Sequence, residues 1–188
     1  MAEVKKVFVT GGARSGKSRF AQSAAQALGA RRVFVATAEA LDEEMAQRIA
    51  RHKAERDASW STCEAPYDLC EALREHAARA DVLLVDCLTL WISNLLLHRG
   101  HGAVGPAVED LARTITDIKS CHLVIVSNEV GAGIVPENAL AREYRDLTGT
   151  ANQRVAAACT EVFLIAAGLP LALMRNGAPC GYPPWMQG

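Results

Sequence analysis

V-K-K-V-F-V-T-G-G-A-R-S-G-K-S, residues 4–18, is the stretch that decides the fold. Val4–Thr10 is β-rich, with the apolar run Val7-Phe8-Val9, and reads as a strand. Gly11-Gly12-Ala13-Arg14-Ser15-Gly16-Lys17-Ser18 then fits G-x-x-x-x-G-K-[ST] in full. From Lys17 the pattern turns helical and runs to Leu28, where Gly29 stops it. A strand, a glycine-rich turn and a helix in this order form a phosphate cradle. Glycines let backbone N–H groups curl around phosphate oxygens, and the helix N-terminus adds its positive end. In such a loop Lys17 reaches the outer phosphates and Ser18 offers its hydroxyl to Mg²⁺.

Outward from the loop, short apolar runs alternate with helical patterns. Strands are expected at Arg32–Ala36, Ser61–Glu64, Val82–Asp86, His122–Ser127, Glu161–Ala166 and Leu171–Met174. Helices are expected over Leu41–Arg56, Pro66–Ala80, Leu88–Leu97 and Val108–Ser120, and over about Asn138–Cys159 with a break near Gly149. Gly100, Gly102, Gly105 and Pro106 mark a loop, and so does Val130–Pro136. V-L-L-V and H-L-V-I-V are apolar on both faces, as strands covered on both sides must be. The pattern predicts an α/β domain of the P-loop NTPase (RecA-like) kind, three layers deep, with a largely parallel central sheet. Residues 1–175 read as that single domain and 176–188 as an irregular tail.

Composition narrows the function classes. The chain has 188 residues, with 20 basic and 21 acidic side chains. That balance argues against a broad nucleic-acid binder, which carries a basic excess. No run reaches the roughly 18 apolar residues needed to span a bilayer. The first apolar stretch is too short for a signal-peptide core, so the cytosol is the expected compartment. The six cysteines are scattered without a C-x-x-C pair, and read as reduced thiols in or near the core.

Two further features carry chemistry. A P-loop nucleotide needs an acid at the end of a neighbouring strand, and Asp86 after V-L-L-V is the candidate metal ligand. On the Leu41–Arg56 helix, Arg48, His52 and Arg56 are spaced four apart and share a face. A neutral imidazole there serves as a nucleophile, and flanking guanidiniums suit phosphates. By periodicity alone a solvated, charge-rich surface is the favoured reading of this face. N-K-x-D, the guanine signature of regulatory GTPases, is absent. Asp146–Gly149 matches D-x-x-G but falls in a helical region. His98 and His101 lack further ligands for a metal. A single-activity P-loop kinase for a small metabolite and a non-catalytic nucleotide switch both remain compatible with these residues.

Five segments in order resemble the bifunctional adenosylcobinamide kinase/adenosylcobinamide-phosphate guanylyltransferase family of cobalamin biosynthesis. They are residues 11–18, 35–56, 83–96, 126–142 and 144–156. The resemblance implies that His52, in Arg51-His52-Lys53-Ala54-Glu55-Arg56, takes GMP from GTP as a guanylylated intermediate. It implies a catalytic Lys17, a P-loop of Gly11, Gly12, Ala13, Arg14, Ser15, Gly16, Lys17 and Ser18, and nucleotide contacts from Ala36, Thr37 and Ala38. Lys53, Ala54, Glu55, Arg56 and Glu64 are implied for the guanine nucleotide, with Ser18 and Asp86 near Mg²⁺. ATP and GTP are the implied co-substrates, adenosylcobinamide and its phosphate the acceptors, and a homotrimer the assembly. Asn128-Glu129 and Asn152-Gln153 also resemble family motifs, without an assigned duty.

Overall fold

The computed structural model describes residues 3–40, 43, 45–47, 50 and 57–181. Eight strands form one sheet in the order β3-β2-β4-β5-β1-β6-β7-β8. They are β1 (Lys6–Thr10), β2 (Arg32–Ala36), β3 (Trp60–Glu64), β4 (Val82–Asp86), β5 (His122–Val126), β6 (Glu161–Ala166), β7 (Leu169–Arg175) and β8 (Ala178–Pro179). The first six are mutually parallel, and β7 and β8 add an antiparallel edge.

The doubly apolar runs explain the layers. In β4, Val82 and Leu84 face one side while Leu83 and Val85 face the other. β5 alternates likewise, with Val124 and Val126 opposite Leu123 and Ile125. One side is covered by α1 (Lys17–Leu28), whose fully buried Ala21 and Ala25 let the helix lie close to the sheet. The other is covered by α2 (Leu69–Ala77), α3 (Leu88–Arg99), α4 (His101–Asp117) and α5 (Ala139–Ala157). α3 is apolar almost all round because it lies beneath its neighbours, with Trp91, Ile92 and Leu95 buried. The expected three-layer architecture is thus present.

Some boundaries differ from expectation. The predicted loop at 100–106 is helix: α4 begins at His101 directly after Gly100, whose φ of 79° makes the break. Val104, Val108, Leu111 and Ile115 repeat with helical period and are all buried. Their burial outweighs the roughly 3 kcal/mol cost of a proline within a helix. Pro106 sits on the exposed side with Gly102 and Gly105, where water meets the carbonyl left without an N–H. Gly149 likewise lies on an exposed face and does not break α5, which Thr148, Ala151 and Val155 anchor.

α2 starts at Leu69, after Pro66 and Tyr67, whose carbonyls accept from Asn94 Nδ2 at 3.0 Å and Trp91 Nε1 at 2.8 Å. Those tertiary bonds hold the segment out of the helix. The tail is not irregular throughout, because Ala178–Pro179 pairs with Met174 and Arg175 in a short hairpin. The predicted helix over 41–56 is helical at 43, 45–47 and 50. All six cysteines are free thiols, with Cys180 exposed and the others buried or half-buried.

Candidate active site

The parallel strands end in a common row. Glu64 pairs with Ala36, Ala36 with Asp86, Asp86 with Val126, and Val126 with Val9. Gly11 follows two residues beyond Val9, so the phosphate loop rises from this same edge of the sheet. Ligands in parallel α/β sheets bind at that carboxyl edge.

The loop itself is closed by short-range bonds. Ser15 N–H donates to Gly12 O at 3.3 Å, and Lys17 Nζ donates to Gly12 O at 3.1 Å. Gly16, with φ 96°, turns the chain into α1, whose first turn carries no acid. The helix's positive end therefore opens on the loop without a competing carboxylate. A Cβ on Gly11 would lie 2.5 Å from Ile165 O and 2.7 Å from Ser15 Oγ. Gly168, at the β6–β7 turn, donates its N–H to Ser15 O at 2.8 Å and braces the loop from outside. Ser15 Oγ is buried and has no hydrogen-bond partner. A buried hydroxyl left open in an anion cradle is suited to a phosphate oxygen. Lys17 is 9 % exposed, and Ser18 beside it is half-buried.

Asp86 ends β4 but is not on the strand beside β1, as the sequence reading expected. β5 lies between them, placing Asp86 about 10 Å across the sheet edge from the P-loop strand. Glu64 ends the edge strand β3, four strand spacings and about 19 Å from β1. The P-loop, Asp86 and Glu64 therefore spread along one edge in that order.

A buried polar network holds this edge together. Thr37 Oγ1 donates to Cys87 O at 2.7 Å and accepts from Cys87 N–H at 2.8 Å. Thr37 O accepts from Asn94 Nδ2 at 2.8 Å. The Thr37 side chain is thus committed to the scaffold, with half-buried Ala36 and Ala38 on either side. Next to it, Asn128 Nδ2 donates to Thr89 Oγ1 at 2.7 Å, and Asn152 Nδ2 donates to Asn128 O at 3.2 Å. Ser127 Oγ donates to Asn152 Oδ1 at 2.6 Å. Burial pushes the Cys87 thiol up to about 11, with the Asp86 charge adding and Lys17 opposing. Cys87 is therefore a neutral packing residue beneath the site.

Sequence reasoning left Asn128 and Glu129 without a duty, yet they follow β5, the strand bonded directly to β1. Glu129 N–H donates to Gly11 O at 3.0 Å, the first residue of the phosphate loop. Only the strand order reveals this adjacency. His52, Lys53, Ala54, Glu55 and Arg56 lie outside the described residues. A cavity of about 330 Å³ lined by Arg31, Arg32, Trp60 and His76 opens at the opposite end of the sheet, away from this site. Among the described residues no cluster of three His, Cys, Asp or Glu side chains is placed to hold a metal, and no helix is long and apolar enough to cross a membrane.

Comparison with known proteins places the chain closely. Residues 7–173 match the model of the cobinamide kinase / cobinamide phosphate guanyltransferase family. The bifunctional adenosylcobalamin biosynthesis protein CobP of Pseudomonas aeruginosa is 43 % identical over 165 residues, covering 88 % of this chain and 95 % of that protein. The corresponding CobU protein of Salmonella typhimurium is 41 % identical over 181 residues, covering 87 % and 96 %. Among solved structures, the flagellar accessory protein FlaH of Methanocaldococcus jannaschii aligns over 97 % of this chain and 84 % of its own, at 15 % identity and a TM-score of 0.51. The RadB recombinase aligns over 87 % and 74 %, at 11 % identity and a TM-score of 0.52. These two likenesses are of fold, and they establish the RecA-like P-loop architecture.

Proposed function

The chain belongs to the cobinamide kinase / cobinamide phosphate guanyltransferase family, and from that premise we propose how its residues divide two reactions. In the first, the hydroxyl of adenosylcobinamide takes the γ-phosphoryl group of ATP or GTP. In the second, GMP passes from GTP to adenosylcobinamide phosphate, giving adenosylcobinamide-GDP and pyrophosphate. The observation that carries this reading is the closed phosphate cradle, Gly11–Ser18, standing at the sheet edge within a family match that spans residues 7–173.

Each group has work suited to its chemistry. Backbone N–H groups of the cradle and Lys17 hold the phosphates, and Ser15 Oγ adds a donor. The hydroxyl of Ser18 and the carboxylate of Asp86 are hard oxygen donors, a set that fits Mg²⁺ completed by phosphates and water. When bound, Mg²⁺ neutralises charge on the phosphates. His52 is the proposed nucleophile: an imidazole nitrogen attacks the α-phosphorus, the bond to the bridging oxygen breaks, and pyrophosphate leaves. The phosphate of the acceptor then displaces the imidazole. Lys53, Ala54, Glu55 and Arg56 line the guanine nucleotide. Glu64, far along the edge from the P-loop, meets the base rather than the phosphates, where a carboxylate accepts from the N1–H and 2-amino donors of guanine. The same reading makes the enzyme a cytoplasmic homotrimer; sedimentation of an active monomer would remove the trimer.

Lys17→Ala tests whether one cradle serves both reactions. Both phosphorylation of adenosylcobinamide and guanylyl transfer are expected to fall by about 10²-fold or more, since a pre-organised charge at the phosphates is removed. Full retention of guanylyl transfer would require a separate nucleotide site.

A further inference from the structure

Three nucleophiles act in the proposed reactions, and they differ in one respect. The histidine nitrogen attacks as a neutral lone pair, and the phosphate of the acceptor attacks as an anion. The hydroxyl of the corrinoid alone must lose a proton as it attacks. The kinase step therefore needs a proton acceptor that the guanylyl steps do not.

Resting on the reading above, we propose that the carboxylate of Glu129 is that acceptor. Glu129 is the acidic residue whose backbone is bonded to the phosphate loop among the described residues, through its N–H to Gly11 O at 3.0 Å. It stands just past β5, the strand inserted between the P-loop strand and the Asp86 strand. A group in that position stands between the cradle and Asp86. The other carboxylates of this edge have other places. Glu39 faces Tyr67 OH at 2.8 Å and His98 Nε2 at 3.7 Å, Glu64 lies four strand spacings from β1, and the reading above gives Asp86 to the metal.

The Glu129 side chain is also held. Its Oε1 accepts from Gly131 N–H at 2.7 Å, and because the residue is exposed its Oε2 stays open to solvent and substrate. The strand end beneath it is fixed by the bonds of Asn128 to Thr89 and of Asn152 to Asn128. Further along the loop that follows it, Ile134 and Val135 are 97 % and 59 % exposed, an apolar surface suited to a bulky corrinoid. In the step, the substrate oxygen forms a bond to the γ-phosphorus while the bond from that phosphorus to the β–γ bridging oxygen breaks. The hydroxyl proton passes to Glu129 Oε2, and the nucleoside diphosphate leaves.

Glu129→Gln separates this role from a structural one, because the amide oxygen still accepts from Gly131 N–H and only proton acceptance is lost. With the full-length protein, transfer from [γ-³²P]ATP to adenosylcobinamide is measured beside guanylyl transfer from GTP to supplied adenosylcobinamide phosphate. The variant is expected to lose about 10²-fold or more in kinase kcat. Its KM for the corrinoid and its guanylyl transfer should stay within about threefold. Kinase activity retained in the variant, or equal loss of both activities, would overturn the assignment. Wild-type protein that phosphorylates no corrinoid would instead overturn the functional reading, and the role of Glu129 with it.

Discussion

At the scale of single residues, the phosphate loop shows how little freedom the motif leaves. Gly11 is required by contact rather than by sequence rule, since a methyl group there would press on the Ile165 carbonyl of β6 at 2.5 Å. Backbone cannot swing aside as a long side chain would. Gly11→Ala should therefore displace the loop, with an overpacking cost of about 1–3 kcal/mol. Nucleotide titration and thermal melting would show it as at least tenfold weaker ATP binding and a lowered Tm. Unchanged affinity would mean that the loop relaxes freely. Glu129 teaches the complementary lesson. Its identity is plain in the sequence, but its place beside Gly11 depends on a strand order that no local pattern encodes.

Elements were legible where one physical signal dominated. Lys17–Leu28, Arg32–Ala36 and Val82–Asp86 begin and end where the pattern puts them, because caps and apolar runs agree there. α4 was obscured because its first turns carry glycines and a proline on the solvent side, while buried Val104 and Val108 point inward. α2 was read too long because the carbonyls of Pro66 and Tyr67 are claimed by side chains of α3. Local propensity holds no record of such tertiary partners.

The junction of α1, β2 and β4 adds a prediction at this scale. Asp81 accepts from the backbone N–H groups of Ala30 and Arg31 and from the Arg31 guanidinium at 2.6 and 2.9 Å. The Arg31 side-chain bonds, then its backbone N–H, hold the Asp81 carboxyl down at about 2. A carboxyl lowered below its ordinary value of about 3.9 favours the fold above that value, and the benefit fades as pH falls toward 2. Because the pair is partly exposed, its size shrinks with salt. The Tm difference between wild type and Asp81→Asn should be steady from about pH 5 to 7 and decline between about pH 4 and 2. A difference unchanged at pH 2 would rule out this linkage.

For the molecule as a whole, the proposed division of labour sets both reactions on one sheet edge. The near-neutral charge of 20 bases against 21 acids conceals this arrangement, because Arg48, Arg51, His52, Lys53 and Arg56 gather in one short stretch. The cradle and Asp86 are expected from the motif and its strands, and Glu64 only from the family resemblance; the structure sets all three along the carboxyl edge. The central claim is that His52 carries GMP between the two substrates. Incubation with [α-³²P]GTP tests it most directly. Wild-type protein should retain an acid-labile covalent label after denaturation, and His52→Ala should retain none. An equally strong label on His52→Ala, or no label on wild type, would contradict the account.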